Sequence, residues 1–96
     1  MKTPLLYEKL NSETARISWE ELQRYFARGV LIVIADGLDL PEIARKIADD
    51  DADSVRVLME KNQIRQADDD DARKWQKNNQ QFWAVVVAPW VLIQAA

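Results

Sequence analysis

The feature that most constrains this fold is the stretch FWAVVVAPWVLIQAA, residues 82–96, which carries no charged side chain. Over the whole chain 30% of the residues are charged. Its apolar part, residues 82–93, is too short for a membrane span, because a helix needs roughly twenty residues to cross a bilayer. We therefore expect no membrane partner, and we look for the stretch in a protein core or against another protein.

The same stretch is a poor helix and a better strand. Pro89 falls in its middle, where a helix would lose a hydrogen bond, and residues 85–87 are a β-branched run. One strand over residues 82–93 would need a bulge, a bend or an edge position at Pro89. Both faces of that strand would be apolar, so it predicts cover on two sides.

Helix signals precede the stretch along the chain. Ser18 and Glu21 have the spacing of a capping box, and Gly29, eleven residues after Ser18, supplies a stop. Asp39 and Glu42 have the spacing of a second capping box. The predicted helices span residues 5–16, 19–28, 39–48, 53–61 and 68–78. The run VLIVIA, residues 30–35, predicts a buried strand, and residues 64–67 a short strand or an extended connection.

Together these elements predict one α+β domain over residues 1–96, with four or five short helices on a small two- or three-stranded sheet. Four helices cover one sheet face well and the second with difficulty, and an uncovered apolar face marks an interaction site. We therefore expect a homodimer, or another protein as partner, with Trp83, Val85, Val87 and Trp90 as interface candidates. The alternative is that one chain covers both faces.

Composition excludes several classes of function. The chain has no cysteine and no histidine, which removes disulfides, thiolate catalysis and the commonest zinc ligands. The net charge is −3 and no basic stripe is present, so we expect no nucleic-acid partner. We expect no cofactor. Glu8 and Lys9 interrupt any apolar run that could form a signal peptide, so the cytoplasm is the expected compartment.

One segment has the spacing of a calcium loop. In DDDADSVRVLME, Asp49, Asp51 and Asp53 occupy positions 1, 3 and 5 of a twelve-residue loop, and Glu60 occupies position 12. Position 6 is Ser54, however, where the sharp turn of such a loop requires glycine. We interpret the aspartates first as helix caps and keep a metal site at Asp49, Asp51, Asp53 and Glu60 as the alternative.

Three parts of the sequence resemble a small bacterial family known as a domain of unknown function, number 2288. They are LNSETARISWEELQRYFARG at residues 10–29, GLDLPEIA at 37–44 and WAVVVAPWVLIQ at 83–94. The resemblance implies a free-standing bacterial cytoplasmic protein and transfers no activity or site residue. The aspartate-rich middle, residues 49–71, departs from the family pattern and weakens a cation site as a family function.

Two functional hypotheses follow from the residues. The first is a non-enzymatic interaction module that self-associates through the apolar strand. The second is a small enzyme or binder, acting on a small molecule or dependent on a divalent cation, that uses Asp36, Asp39 or the aspartates of residues 49–53. A flat interface would favour the first hypothesis, and a cleft with convergent carboxylates would favour the second.

Overall fold

The computed structural model describes the backbone of residues 4–96 and the side chains of residues 8–96. That part of the chain forms five helices and five strands. In chain order they are α1 (Pro4–Glu13), β1 (Ala15–Ser18), α2 (Trp19–Ala27), β2 (Leu31–Ile34), α3 (Leu40–Ala48), α4 (Ala52–Glu60), β3 (Ile64–Gln66), α5 (Asp69–Asn78), β4 (Gln81–Val87) and β5 (Trp90–Ala95).

The strands of residues 4–96 form one mixed sheet of five strands in the order β1-β4-β5-β2-β3. Strands β2 and β5 are parallel, and the other neighbouring pairs are antiparallel. The α+β class is confirmed, but the prediction of two or three strands is wrong. Two causes account for the difference: the first two residues of β1, Ala15 and Arg16, were predicted as the end of a helix, and the apolar stretch forms two strands instead of one.

The apolar stretch folds back on itself as a hairpin. Val87 of β4 pairs with Trp90 of β5, so Ala88 and Pro89 are the two residues of the turn, and the bond between them is cis. The single strand over residues 82–93 is therefore a wrong prediction. Pro89 has no N–H to donate, and a turn is the place where a sheet loses no ladder bond to it. No helix within residues 4–96 is long and apolar enough to cross a bilayer.

Helices pack on both faces of the sheet. Helices α1, α3 and α4 bury Leu10, Ile43 and Leu58 on what we call the first face, against Val85 and Leu92. On the second face, α2 and α5 bury a different set of side chains. These are Leu22 and Trp75 from the helices and Leu31, Phe82, Val91 and Ile93 from the strands. Three helices thus cover the first face and two cover the second, so a single chain covers the middle of both faces of the sheet.

The predicted first helix is too long at its C-terminus. Helix α1 ends at Glu13, and the Thr14 hydroxyl donates to the Leu10 carbonyl at 2.8 Å. Residues 15–18 then pair with β4 as an antiparallel edge strand. This pairing is tertiary, and four residues carry too little periodicity to predict it.

Three of the four helix starts from α2 to α5 are capped by side chains, and the exception is α3. The capping box of Ser18 and Glu21 is confirmed at α2, and Asp68 forms another with Asp71 at α5. The box predicted at α3 is wrong. Asp39 does occupy the N-cap position, but its side chain accepts from none of the helix amides. The Glu42 carboxylate accepts instead from the Arg45 guanidinium, one turn further along the helix.

Candidate functional site

The end of the β4–β5 hairpin presents apolar side chains to solvent. We call residues 86–90 (Val-Val-Ala-Pro-Trp) the hairpin tip. Val86 is 60% exposed and Trp90 38% exposed. The two side chains extend from opposite faces of the sheet, because Val86 pairs with Val91 whereas Trp90 pairs with Val87. The tip carries no charged side chain, so it offers an uncharged apolar projection rather than a polar turn.

An apolar groove lies beside the hairpin tip on the first face, with a volume of about 300 Å³. Helices α3 and α4 contribute Ile47, Val55 and Met59 to its lining, and the strands contribute the remainder. These are Ile32, Ile64, Arg65, Gln66 and Trp90. Met59 is 60% exposed. Trp90 belongs to both the tip and the groove, so the two features form one continuous surface.

The polar groups of the groove lining are already bonded within the chain. The Arg65 guanidinium donates to both carboxylate oxygens of Asp71, at 2.6 and 2.9 Å. The Gln66 amide donates to the Gly29 carbonyl at 2.6 Å. The bond from Arg65 holds the pKa of Asp71 below its ordinary value, although partial burial opposes it. Because these groups are satisfied, the groove favours an uncharged, apolar occupant.

The structure separates the four predicted interface residues. Trp90 and Val87 belong to the hairpin tip, whereas Val85 is buried in the first-face core. Trp83 is exposed but lies four residues before Val87 on β4. The Arg16 guanidinium is 5.9 Å from the centroid of its ring. Four strand residues span about 13 Å, so Trp83 is not part of the tip.

Val86 and Met59 are surface residues that the sequence reasoning missed. The sequence places Met59 on the apolar stripe of α4 with Val55 and Leu58, but only Leu58 of these three is fully buried. Leu58 is the buried residue of α4, and successive helix residues point about 100° apart, so Met59 turns away from the buried side and toward solvent. A valine beside a turn would have been the available signal for Val86.

The aspartates of the predicted calcium loop lie at the ends of two helices. Asp49 follows α3, and its carboxylate accepts from Arg45 at 3.1 Å. Asp51 is the N-cap of α4 and accepts from the Ser54 amide at 3.2 Å. Asp53 pairs with Arg56 at 3.1 Å. Each of the three therefore binds a group of its own helix.

Glu60 stands apart from these aspartates. It is the last residue of α4, and the nine residues of that helix rise about 13 Å from the Asp51 cap. Among the residues that the structure describes, no three acidic side chains lie close enough together to hold a metal ion. The segment Ala52–Glu60 thus forms a helix, whereas a calcium loop would need these residues to wrap around an ion.

Asp36 and Asp39 flank the turn that joins β2 to α3, and both are exposed. Asp39 lines a depression of about 380 Å³ together with Trp83 and Gln94, and Asp36 is not among the lining residues. The Gln94 amide donates to the carbonyls of Ala35 and Leu38, at 2.9 and 2.8 Å. The Gln94 amide in this depression is therefore bound to backbone carbonyls, and the carboxylates of Asp36 and Asp39 do not converge there.

Comparisons with known proteins agree with this architecture. The profile of a family described as "Protein of unknown function (DUF2288)" matches residues 5–95. The solution NMR structure of PA1075 from Pseudomonas aeruginosa superposes with a TM-score of 0.82 at 44% sequence identity. The match covers 97% of this chain and 86% of that one. No functionally curated protein matches significantly.

Proposed function

Because the chain belongs to the family of proteins of unknown function DUF2288, whose description names no activity, we propose its function from its surface: a non-enzymatic module that self-associates as a homodimer through the hairpin tip. One observation carries the proposal. The tip exposes Val86 and Trp90 from opposite sides of the hairpin and carries no charge. Removing such apolar area from water stabilises an association by roughly 25 cal/mol per Å².

Charge favours a second copy as the partner. In a two-fold dimer the same patch lies on both sides of the interface, so a charged patch would face its own sign. The chain carries a net charge of −3, but none of it lies on the tip. The tip therefore meets its own copy without a like-charge contact, while the acidic remainder of the surface stays in solvent.

The size of the surface sets the expected strength. Stable interfaces bury about 800 Å² per partner through 20–30 residues on each side, and smaller ones are weak or transient. The tip and groove together provide fewer residues than that. We expect association at high micromolar concentration, which suits a protein that exchanges between free and paired forms.

Light scattering coupled to size-exclusion chromatography tests the proposal. The monomer mass is 11.1 kDa. Between about 10 µM and 1 mM, a range that tests for micromolar to millimolar dissociation constants, we expect the mass of the wild-type protein to approach twice that value. Val86→Glu places a charge on the tip and should keep the mass at that of the monomer throughout.

Val57→Glu is the matched control. Val57 is also exposed, at 42%, but it lies on α4 outside both the tip and the groove lining. The same substitution there should leave the association of the wild type unchanged. A wild-type protein that stays at 11.1 kDa over the whole concentration range would overturn the proposal.

The cytoplasm is the compartment that we propose for this activity. The cysteine-free sequence supports it, since small domains of oxidising compartments commonly rely on disulfides.

A further inference from the structure

We infer that the hairpin tip of each copy packs into the apolar groove of the other copy. This inference rests on the proposed self-association and adds the contact on the partner. It places Ala88 and Pro89 of one copy against Met59 and Val55 of the second copy, and the reverse contact is made at the same time. The alternative arrangement is a tip-to-tip contact, in which each Ala88 lies against its own equivalent.

The extent of the surface favours the groove. A tip-to-tip contact would use only residues 86–90 from each copy, far below the roughly 20–30 residues that a standard interface places on each side. Packing the tip into the groove adds the side chains that line the groove to the same interface. More apolar area then leaves water for the same loss of freedom on association.

The position of the groove also favours it. The groove directly adjoins the tip, and Trp90 contributes to both. In a two-fold interface, if residue i of one copy contacts residue j of the other, then j also contacts i. The two-fold rotation that brings the tip of one copy into the groove of the other therefore also brings the second tip into the first groove. Neither the tip nor the groove then needs any partner besides the second copy.

The chemistry of the groove matches that of the tip. Arg65 and Gln66 already bind Asp71 and the Gly29 carbonyl, so the groove has no unpaired polar side chain to offer from these two positions. The exposed thioether of Met59 is flexible and polarisable, and methionine adapts well to an apolar or aromatic neighbour. An uncharged turn of alanine and proline between Val87 and Trp90 is a suitable occupant for such a site.

Cysteine cross-linking tests the inference, and the chain is suited to it because it contains no cysteine. Ala88→Cys marks the tip and Met59→Cys marks the groove; both positions are exposed, so neither change disturbs the core. Equal amounts of the two variants are mixed at a concentration where the wild type associates, and they are oxidised with a copper–phenanthroline catalyst. Mass spectrometry separates the mixed dimer from either homodimer. Disulfides form between Cα atoms about 4.4–6.8 Å apart, so the reaction reports proximity.

We expect the mixed disulfide between Ala88→Cys and Met59→Cys to form several-fold faster than the Ala88→Cys homodimer. Val57→Cys mixed with Ala88→Cys is the matched control and should cross-link no faster than that homodimer. If the Ala88→Cys homodimer forms fastest, the contact is tip to tip and the inference is overturned, while the proposed dimer stands. If the wild type associates but no mixed disulfide forms, something else occupies the groove and the inference is again overturned. A wild type that light scattering shows to be monomeric overturns the proposed function itself.

Discussion

At the scale of single residues, Asp71 links two elements that are separate in the sequence. Its carboxylate accepts two bonds from Arg65 of β3 and one, at 2.9 Å, from the Asp68 amide at the start of α5. The bonds from Arg65 join the edge strand β3 to α5, and the bond from Asp68 belongs to the capping box of that helix. The sequence predicts the acids of residues 68–71 as a helix start, but it does not distinguish Asp71 from its neighbours.

Asp71 should make the stability of the fold depend on pH. Its folded pKa lies below the ordinary value, chiefly because Arg65 binds the carboxylate. A carboxyl group of this kind stabilises the fold fully above its unfolded pKa of about 3.9 and loses that contribution as the pH falls through the lower folded pKa. We expect Asp71→Asn to lower the free energy of unfolding by about 1 kcal/mol at pH 7.

Chemical denaturation at several pH values measures this effect. The difference between wild type and Asp71→Asn should shrink toward zero as the pH falls from about 5 to about 2, across the carboxyl range. Asp70→Asn is the control, because Asp70 pairs with Arg73 in an ion pair exposed on both sides. That change should cost less than about 0.5 kcal/mol. A difference for Asp71→Asn that persists unchanged at pH 2 would contradict the assignment.

At the scale of elements, the helix starts show what local chemistry specifies. Ser18 accepts from the Glu21 amide at 3.3 Å, and the Glu21 carboxylate accepts from the Ser18 amide at 3.4 Å. Gly29, beyond the other end of α2, has a φ of +76°, which favours glycine. Both ends of this helix were predictable because each depends on residues within one turn. The capping box predicted at Asp39 shows the limit of such local prediction. The Glu42 carboxylate that the box requires is bound by the Arg45 guanidinium instead.

Ser18→Ala should therefore destabilise the protein by about 1 kcal/mol, the usual cost of losing an N-cap oxygen. Ser12→Ala is a matched control in the neighbouring helix: its hydroxyl donates to the Lys9 carbonyl at 2.9 Å in an exposed position and caps no helix start. It should cost less than about 0.5 kcal/mol. Thermal or urea unfolding at one protein concentration compares the two variants. Equal losses for both would argue against a capping role for Ser18.

At the scale of the whole molecule, β5 joins the two halves of the core. Leu92 packs on the first face and Ile93 on the second, and both are 0% exposed. Neighbouring strand residues point to opposite faces, so each of these adjacent side chains belongs to a different helix layer. The stretch that the sequence marks as needing cover on two sides is covered on both at this point.

Truncation at either position should leave a cavity that the surrounding layer fills only in part. We expect Leu92→Ala and Ile93→Ala each to lower the free energy of unfolding by about 2–5 kcal/mol. Val86→Ala, at the exposed tip of the same hairpin, should lower it by less than about 0.5 kcal/mol while weakening self-association. Urea unfolding at constant protein concentration makes the comparison. A small loss at only one of the two buried positions would mean that its layer repacks, contrary to the covered sheet described above.

The sequence by itself determined the helix α2 with its cap and stop, a buried strand within residues 30–35 and the burial of part of the uncharged stretch in the core. These follow from local hydrogen bonding and from the cost of exposing apolar side chains to water. Only the tertiary structure decided that β1 is a strand, that Pro89 turns a hairpin, and that Val85 is buried while Val86 and Met59 are exposed. Those outcomes depend on which strand pairs with which and on where each short helix ends over the sheet. Contacts between residues distant in the chain set both, and no local pattern encodes them.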